Sequence, residues 1–247
     1  MLRDNLIERQ QGTDAIRWRS TTVSRLEGFS DAVFAFGITL LIVSLEVPAT
    51  FDDLVATMIG FGAFGVCFGV VGMIWYQHYL FFRRFGLHDK TTHVLNMMLL
   101  FVVLFYMYPL KFMATFLLQW YSTRSIEVIG SDGAIQQMIG YTDVPVLTMI
   151  YSIGYGIVFL IFGLLYRHAY RRAELLNLTE EERHLTRSKV YLSLVHTAVA
   201  LLSVGLCLVL PYSLAFVGGV IYFLIGPLSW WVARRFEQQG AAGAGVH

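Results

Sequence analysis

Cysteine and charge are both scarce in this sequence, and each shortage excludes a class of protein. The 247 residues include two cysteines, Cys67 and Cys207, which both lie inside apolar runs. Neither a disulfide framework nor a Cys-x-x-Cys site is therefore available. Charged residues make up 14% of the chain, and the formal net charge is +1. Because the basic residues are spread over several segments and form no single patch, we expect no nucleic-acid partner.

Apolar residues, in contrast, make up 56% of the chain and are gathered in long runs. A helix crosses the hydrocarbon core of a membrane with roughly 20 mostly apolar residues. Six runs have that length, at residues 29–47, 54–82, 92–118, 144–166, 190–210 and 212–232. The sequence therefore predicts an all-α, polytopic membrane protein with six transmembrane helices, surrounded by membrane lipid.

The positions of lysine and arginine predict the orientation of these spans, because cytoplasmic loops retain positive residues. Of the 18 basic residues, 16 lie before the first span, between spans two and three, between spans four and five, or after span six, and only Lys111 and Arg124 lie on the other side. We therefore expect both termini in the cytoplasm. The chain divides into a cytoplasmic lead-in at 1–28, a six-helix membrane domain at 29–232 and a tail at 233–247, whose Gly/Ala-rich composition predicts disorder.

Two segments between the spans carry local signals. Thr179 is followed three residues later by Glu182, which fits a capping box and predicts that a helix begins there, before the membrane. The outer segment 119–143 is a long polar stretch, for which we expect a short helix.

Ionisable side chains inside a membrane are the informative ones, because a charge near the bilayer centre costs roughly 3 kcal/mol. Asp31 lies two residues into the first span and follows Ser30. Trp75 and His78 lie at a similar depth on the second span, so an indole donor and an imidazole are within reach of this carboxylate or serine. The alternative is an interfacial acid that snorkels to water and has no partner.

At 100° per residue, the first helix presents two separate stripes. One stripe contains Arg25, Phe29, Phe36, Leu40 and Val43, and the other, about 130° away on the same wheel, contains Asp31, Ala35, Ile38 and Ile42. Thr39 lies between them. Because this helix is apolar all round, periodicity alone does not choose the stripe that would face a pathway.

A resemblance to a known family indicates which of the two stripes would face the pathway. The string Arg-x-x-x-Phe-Ser-Asp, from Arg25 to Asp31, opens the first span and continues as Ala-Val-Phe-Ala-Phe-Gly-Ile-Thr-Leu-Leu-Ile-Val to Val43. It resembles the signature of the transmembrane protein 175 family of potassium channels. The six-span layout and Trp75-x-x-His78 are similar to those of the bacterial members.

The resemblance implies a homotetramer in the bacterial plasma membrane, with four copies of the first helix around a central pore. Hydrophobic rings of Phe36, Leu40 and Val43 would form the constriction, and Thr39 would support selectivity. Family members usually have Ile or Leu at the position of Phe36. Arg25, Phe29, Ser30 and Asp31 would lock the first helix to the second span, at Trp75 and His78, and to a neighbouring subunit. The permeating ions are monovalent cations, potassium before others, and no enzymatic activity, cofactor or metal site is expected.

Other functions remain alternatives at this stage. Ser152-Ile-Gly-Tyr-Gly156 resembles a carbonyl-lined potassium filter, but a re-entrant loop there leaves an apolar remainder too short to span. A proton-coupled secondary transporter would use Asp31, His78 and His196, although inverted repeats and broken helices are not evident. A membrane enzyme or haem protein is disfavoured, because the sequence has no clustered nucleophile and base and no spacing of metal ligands.

For a channel, Glu46, Asp52 and Asp53 would concentrate cations at the outer mouth.

Overall fold

The computed structural model describes residues 16–20, 22–43, 49–123, 127–129, 135–140, 142–214 and 216–244. Helices dominate these residues: α1 (Arg25–Val43), α2 (Phe51–Phe85), α3 (Lys90–Thr123), α4 (Val144–Arg171), α5 (Glu180–Val209), α6 (Phe216–Val220) and α7 (Ile225–Ala244). Short 3₁₀ helices at Tyr212–Leu214 and Ile221–Leu224 flank α6. The predicted all-α class is confirmed.

Five helical stretches of the described chain are long and apolar enough to cross a membrane: Phe61–Phe85, Lys90–Phe116, Val144–Arg171, Glu180–Val209 and Phe216–Phe236. They correspond to predicted spans two to six. The shorter helix α1 is not among them. With 19 residues it is about 28 Å long at 1.5 Å per residue, close to the roughly 30 Å of a hydrocarbon core.

Two of the helices begin with a capping box. At α5, the Thr179 hydroxyl accepts from the Glu182 amide at 3.2 Å and the Glu182 carboxylate accepts from the Thr179 amide at 3.0 Å, as the sequence predicts. At α1, Ser24 and Glu27 exchange the same pair of bonds at 3.2 and 3.0 Å. Because such a box satisfies free backbone donors at a helix start, it fixes where α1 begins.

The outer segment differs from the expected short helix. It contains strands β1 (Glu127–Ile129) and β2 (Ile135–Gln137), which pair antiparallel with Val128 opposite Gln136. The sequence explains this pairing, because β-branched residues flank a Gly-Ser-Asp-Gly stretch that is typical of a turn.

The last predicted span consists of two α-helices separated by a short 3₁₀ helix. The 3₁₀ helix Ile221–Leu224 separates α6 from α7, and Pro227 follows it in the sequence. A proline ring clashes with the carbonyl four residues earlier, and this favours tighter winding just before it. Helix α7 continues to Ala244 and so covers much of the segment for which composition predicts disorder. The alanines of that segment are strong helix formers.

One contiguous apolar core contains residues from each of the helices α1, α2, α3 and α4. Its most buried part lies at the ends of α2 and α4, where Phe81 meets the Tyr166 ring edge-on with centroids 5.5 Å apart. Phe34 and Leu41 attach α1 to this core and are 3% and 2% exposed. Helix α5 packs along α4. The core thus holds one face of α1, and within the described residues the other face is mostly exposed.

Candidate functional site

Helix α1 has one buried and one exposed face, and this asymmetry defines the candidate site. Leu26, Ser30, Phe34 and Leu41 are buried at helical spacing. On the opposite side, Phe29 and Phe36 are 52% and 60% exposed. In a membrane-spanning chain, exposed aromatic side chains of this kind contact either lipid or another subunit.

The predicted constriction residues occupy different positions on this helix. Phe36 and Thr39 are exposed, and Leu40 is half-buried. The Thr39 hydroxyl donates to the Ala35 carbonyl at 2.9 Å, within its own helix. Val43 is the last residue of α1, and its side chain lies outside the described residues. Ile38, from the other stripe, packs against the core.

A buried polar relay connects α1 to α2 and α3. The Asn96 amide donates to the Ser30 hydroxyl at 2.9 Å, and its carbonyl oxygen lies 2.7 Å from His78 Nε2. Ser30 in turn donates to the Leu26 carbonyl at 2.8 Å. Ser30 and Asn96 are 0% exposed and His78 is 2% exposed. Such a network is stabilising only when every member is paired, so it holds α1 at one rotation about its axis.

Asn96 is the member of this relay that sequence reasoning missed. The signal was available, because an amide inside an apolar span needs a hydrogen-bond partner there. Ser30 and His78 were both expected at this level. His78 binds neither Asp31 nor Ser30 directly, and the amide of Asn96 bridges the gap.

Asp31 has a partner on α2, so the alternative of an unpartnered interfacial acid is wrong. The Trp75 indole donates to Asp31 Oδ1 at 2.7 Å. Trp75 also stacks on Tyr79, with ring centroids 5.8 Å apart, and Tyr79 meets the edge of Trp18 at 6.2 Å. This aromatic column supports the carboxylate at the exposed edge of α1. Arg25, from the same signature, is exposed six residues earlier.

Two further contacts fix α1 against α3. Gly37 packs directly against α3, since an added Cβ would come within 2.7 Å of Met107 Cε and 3.1 Å of Leu104 Cδ2. Near the end of α1, the Lys111 ammonium donates to the Leu41 carbonyl at 3.3 Å. A cation is favourable there because the carbonyl end of a helix carries partial negative charge.

A second polar cluster ties the segment before α1 to the start of α5. Glu182, 5% exposed, accepts from Arg19 Nη2 at 2.5 Å and from the Arg17 amide at 2.8 Å. The Arg19 amide also donates to the Arg83 carbonyl at 3.0 Å, next to the turn that ends α2. Sequence reasoning found Glu182 only as a helix cap, whereas the structure shows it as the anchor of the lead-in.

Asp89 plays a similar role between α3 and α4. It caps α3 by accepting from the Thr92 amide and hydroxyl at 3.2 and 2.6 Å, and its other oxygen lies 2.6 Å from His168 Nε2. Partial burial acts to raise the pKa of Asp89, but the hydrogen bonds from Thr92 and His168 outweigh it and hold the pKa below its ordinary value.

The filter-like string lies in the middle of the continuous helix α4. Its carbonyls belong to a helical ladder and are not turned toward a pathway, so the filter interpretation is wrong. Tyr155 of this string hydrogen-bonds His196 Nδ1, and His196 stacks on Phe159 at 4.1 Å. His196 thus has partners on α4, separate from the relay of His78.

The acidic residues proposed for the outer mouth, Glu46, Asp52 and Asp53, have side chains outside the described residues.

Comparison with known proteins identifies the family. A profile of the family described as endosomal/lysosomal potassium channel TMEM175 matches residues 25–106. A potassium channel of Marivirga tractuosa is 39% identical over 214 residues, covering 85% of this chain and 86% of the relative. A second potassium channel, from Streptomyces collinus, is 34% identical over 99 residues, which cover 38% of this chain and 48% of the relative.

Solved structures agree with the sequence matches. A variant of the potassium channel MtTMEM175, crystallised with a nanobody fusion protein, superimposes with a TM-score of 0.80 at 36% identity, and the match covers 90% of this chain and 97% of that one. A lysosomal potassium-selective channel TMEM175 homologue from Chamaesiphon minutus shares the fold, with a TM-score of 0.52 at 20% identity over 86% of this chain and 96% of that one. The 39% identity over most of both chains, together with the profile match, shows that this chain belongs to the TMEM175 family.

Proposed function

We propose that this protein is a potassium-preferring cation channel, which conducts passively through a central pore formed by four copies of α1. The observation that carries the proposal is the exposed face of that helix. Phe36 is 60% exposed, whereas Phe34, two residues earlier, is 3% exposed. A helix packed on one side and exposed on the other within the described residues is suited to face a symmetry axis, where copies of itself complete the surroundings.

The proposal assigns the constriction to Phe36, Leu40 and Val43. These positions recur at i, i+4 and i+7 on one side of α1. Their side chains offer an ion no replacement for its water, so a narrow ring excludes water and blocks ions, and a wider ring passes ions that keep part of their hydration shell. Thr39 supplies a hydroxyl on the exposed surface next to Phe36. It is the group that we assign to selectivity.

The remaining signature residues receive structural roles in this proposal. Asp31 with Trp75 and Ser30 with Asn96 keep α1 in place on its own subunit, at 2.7 and 2.9 Å. Arg25 and Phe29 are exposed, and we assign them to contacts with the neighbouring subunit. We also propose that the protein lies in the bacterial plasma membrane with both termini on the cytoplasmic side.

Flux from liposomes separates this proposal from a proton-coupled carrier. Purified protein is reconstituted with internal potassium and a membrane-permeant anion that balances the charge leaving with it, and efflux is followed with the pH clamped by strong buffer on both sides and without this clamp. A channel gives efflux that does not saturate with internal potassium and is unchanged by clamping the pH, and potassium moves faster than sodium. Saturating efflux that requires proton movement contradicts the proposal. The mass of the purified assembly gives the second readout, and any value other than four subunits excludes the proposed pore.

A further inference from the structure

The groove between α4 and α5 lies away from α1 and plays no part in the proposed conduction pathway. It has a volume of about 340 Å³, and its walls are apolar, with Phe159 and Leu164 on α4 facing Val190 and Leu194 on α5. The floor is formed where the two helices approach closely. An added Cβ at Gly163 would lie 3.2 Å from the Cβ of Ser193, so the absence of a side chain there gives the groove its depth.

Two guanidinium groups, those of Arg167 and Arg187, lie at one end of this groove. Arg187 lies over the Tyr191 ring, with its guanidinium carbon 5.7 Å from the ring centroid. No acidic residue lines the groove, and within the described part of the chain no carboxylate lies at ion-pair distance from either arginine. The mouth is therefore an uncompensated positive site above an apolar slot.

The dimensions of the groove match one leaflet of a membrane. Along α4, the lining runs from Arg167 to Phe159, and along α5 it runs from Arg187 to Thr197. At 1.5 Å per residue these distances are about 12 and 15 Å, which is about half of a hydrocarbon core of roughly 30 Å. Both arginines are at the end that the distribution of positive residues predicts to be cytoplasmic, where anionic lipid headgroups are enriched.

We propose that this groove binds an anionic phospholipid, with its phosphate between Arg167 and Arg187 and an acyl chain along the apolar walls. The charge at the mouth selects the occupant. A zwitterionic lipid brings a positive group to a site that already carries two, whereas an anionic lipid neutralises them through charge-assisted hydrogen bonds of the kind that guanidinium groups make to phosphate.

Native mass spectrometry of the whole protein in detergent tests this proposal without reference to ion flux, so its outcome is independent of the channel assignment. The probes are phosphatidylglycerol, phosphatidylcholine with the same acyl chains, and inorganic phosphate. We expect phosphatidylglycerol to remain bound at lower concentration than phosphatidylcholine, and inorganic phosphate not to displace it. Each of Arg167→Gln and Arg187→Gln should weaken binding of phosphatidylglycerol about five-fold, since one basic residue at a membrane surface contributes about that factor.

Two further variants keep the test decisive. Lys90→Gln removes one exposed positive charge from the same predicted side but outside the groove, and should leave binding unchanged. Leu164→Trp fills the slot at a residue that is 38% exposed and should remove the bound lipid while the protein keeps its oligomeric mass.

Four outcomes overturn the proposal. They are equal retention of the two lipids, an equal loss with Lys90→Gln, displacement of the lipid by inorganic phosphate, and an assembly in which a second copy of the chain covers the groove and excludes lipid.

Discussion

Phe34 and Phe36 provide a matched pair for testing which face of α1 lines the proposed pore. The two rings lie two residues apart on the same helix, and Phe34 is 3% exposed whereas Phe36 is 60% exposed. Phe34 also meets the ring of His78 at a centroid distance of 5.7 Å. The same substitution, Phe to Ala, therefore removes a core contact at one position and a surface ring at the other.

The two substitutions should differ in magnitude as well as in kind. Truncating a buried phenylalanine costs about 3 to 5 kcal/mol, because it leaves a cavity that the surroundings fill only in part. Phe34→Ala should therefore destabilise the subunit by that amount. Phe36 has about 40% of its surface covered within the subunit, and Phe36→Ala should cost about 1 to 2 kcal/mol by the same measure. Its main effect should be a higher leak conductance and a weaker preference for potassium.

The assays are thermal unfolding in detergent and single-channel or liposome flux. A cysteine scan adds geometry, because a thiol at Phe36, Leu40 or Val43 should react with a small water-soluble reagent, whereas a thiol at Ile38, which packs on the core, should not. If Ile38→Cys reacts and Phe36→Cys is protected, α1 is rotated from the proposed orientation. A Phe36→Ala protein with unchanged conductance would refute the constriction.

Three further predictions follow from the contacts around α1 and α3. Thr39→Val removes a hydroxyl at nearly constant volume and should lower the preference for potassium over sodium, and an unchanged bi-ionic reversal potential would contradict its role. Asp31→Asn replaces a charged acceptor for the Trp75 indole by a neutral one and should lower tetramer yield about five-fold, or about 1 kcal/mol, with selectivity intact; normal yield with altered selectivity would make Asp31 a pore ligand. The folded pKa of Asp89 is lowered, so its stabilising contribution is present above the unfolded value of about 3.9 and is lost as the pH falls through the folded value. The melting temperatures of wild type and Asp89→Asn should therefore converge in acid, and a constant difference between them down to the lowest pH would argue against this reasoning.

The helical layout was predictable because its signals are local. Run length and the positions of basic residues indicate the spans, and the capping box at Thr179 and Glu182 is a pattern of four residues. The contact between Asp31 and Trp75 followed from matching depth on adjacent helices. The same kind of pattern at Ser24 and Glu27 marks the start of α1, and sequence reasoning passed over it.

What the sequence did not reveal depends on contacts between distant segments. Asn96 reaches Ser30 over a separation of 66 residues, and Arg19 reaches Glu182 over 163. Neither pair has a spacing that periodicity can detect. The outer segment contains a strand pair where a helix was expected. Its polarity suggested a helix, whereas its turn-forming Gly-Ser-Asp-Gly stretch between β-branched residues favours a hairpin. The face of α1 that would line the proposed pore is also not readable from a helix that is apolar all round, and only its packing distinguishes the two sides.

The relay of Ser30, Asn96 and His78 limits the ways in which the width of a pore lined by α1 can change. Turning α1 about its own axis would separate Ser30 from Asn96 and leave buried polar atoms unpaired, at a cost of about 1 to 3 kcal/mol for each one. Four subunits that turned together would incur that cost four times. Tilting or sliding α1, α2 and α3 as a single rigid unit breaks none of these bonds. In the proposed tetramer we therefore expect opening and closing to be a shear between subunits, with the helices of each subunit moving together.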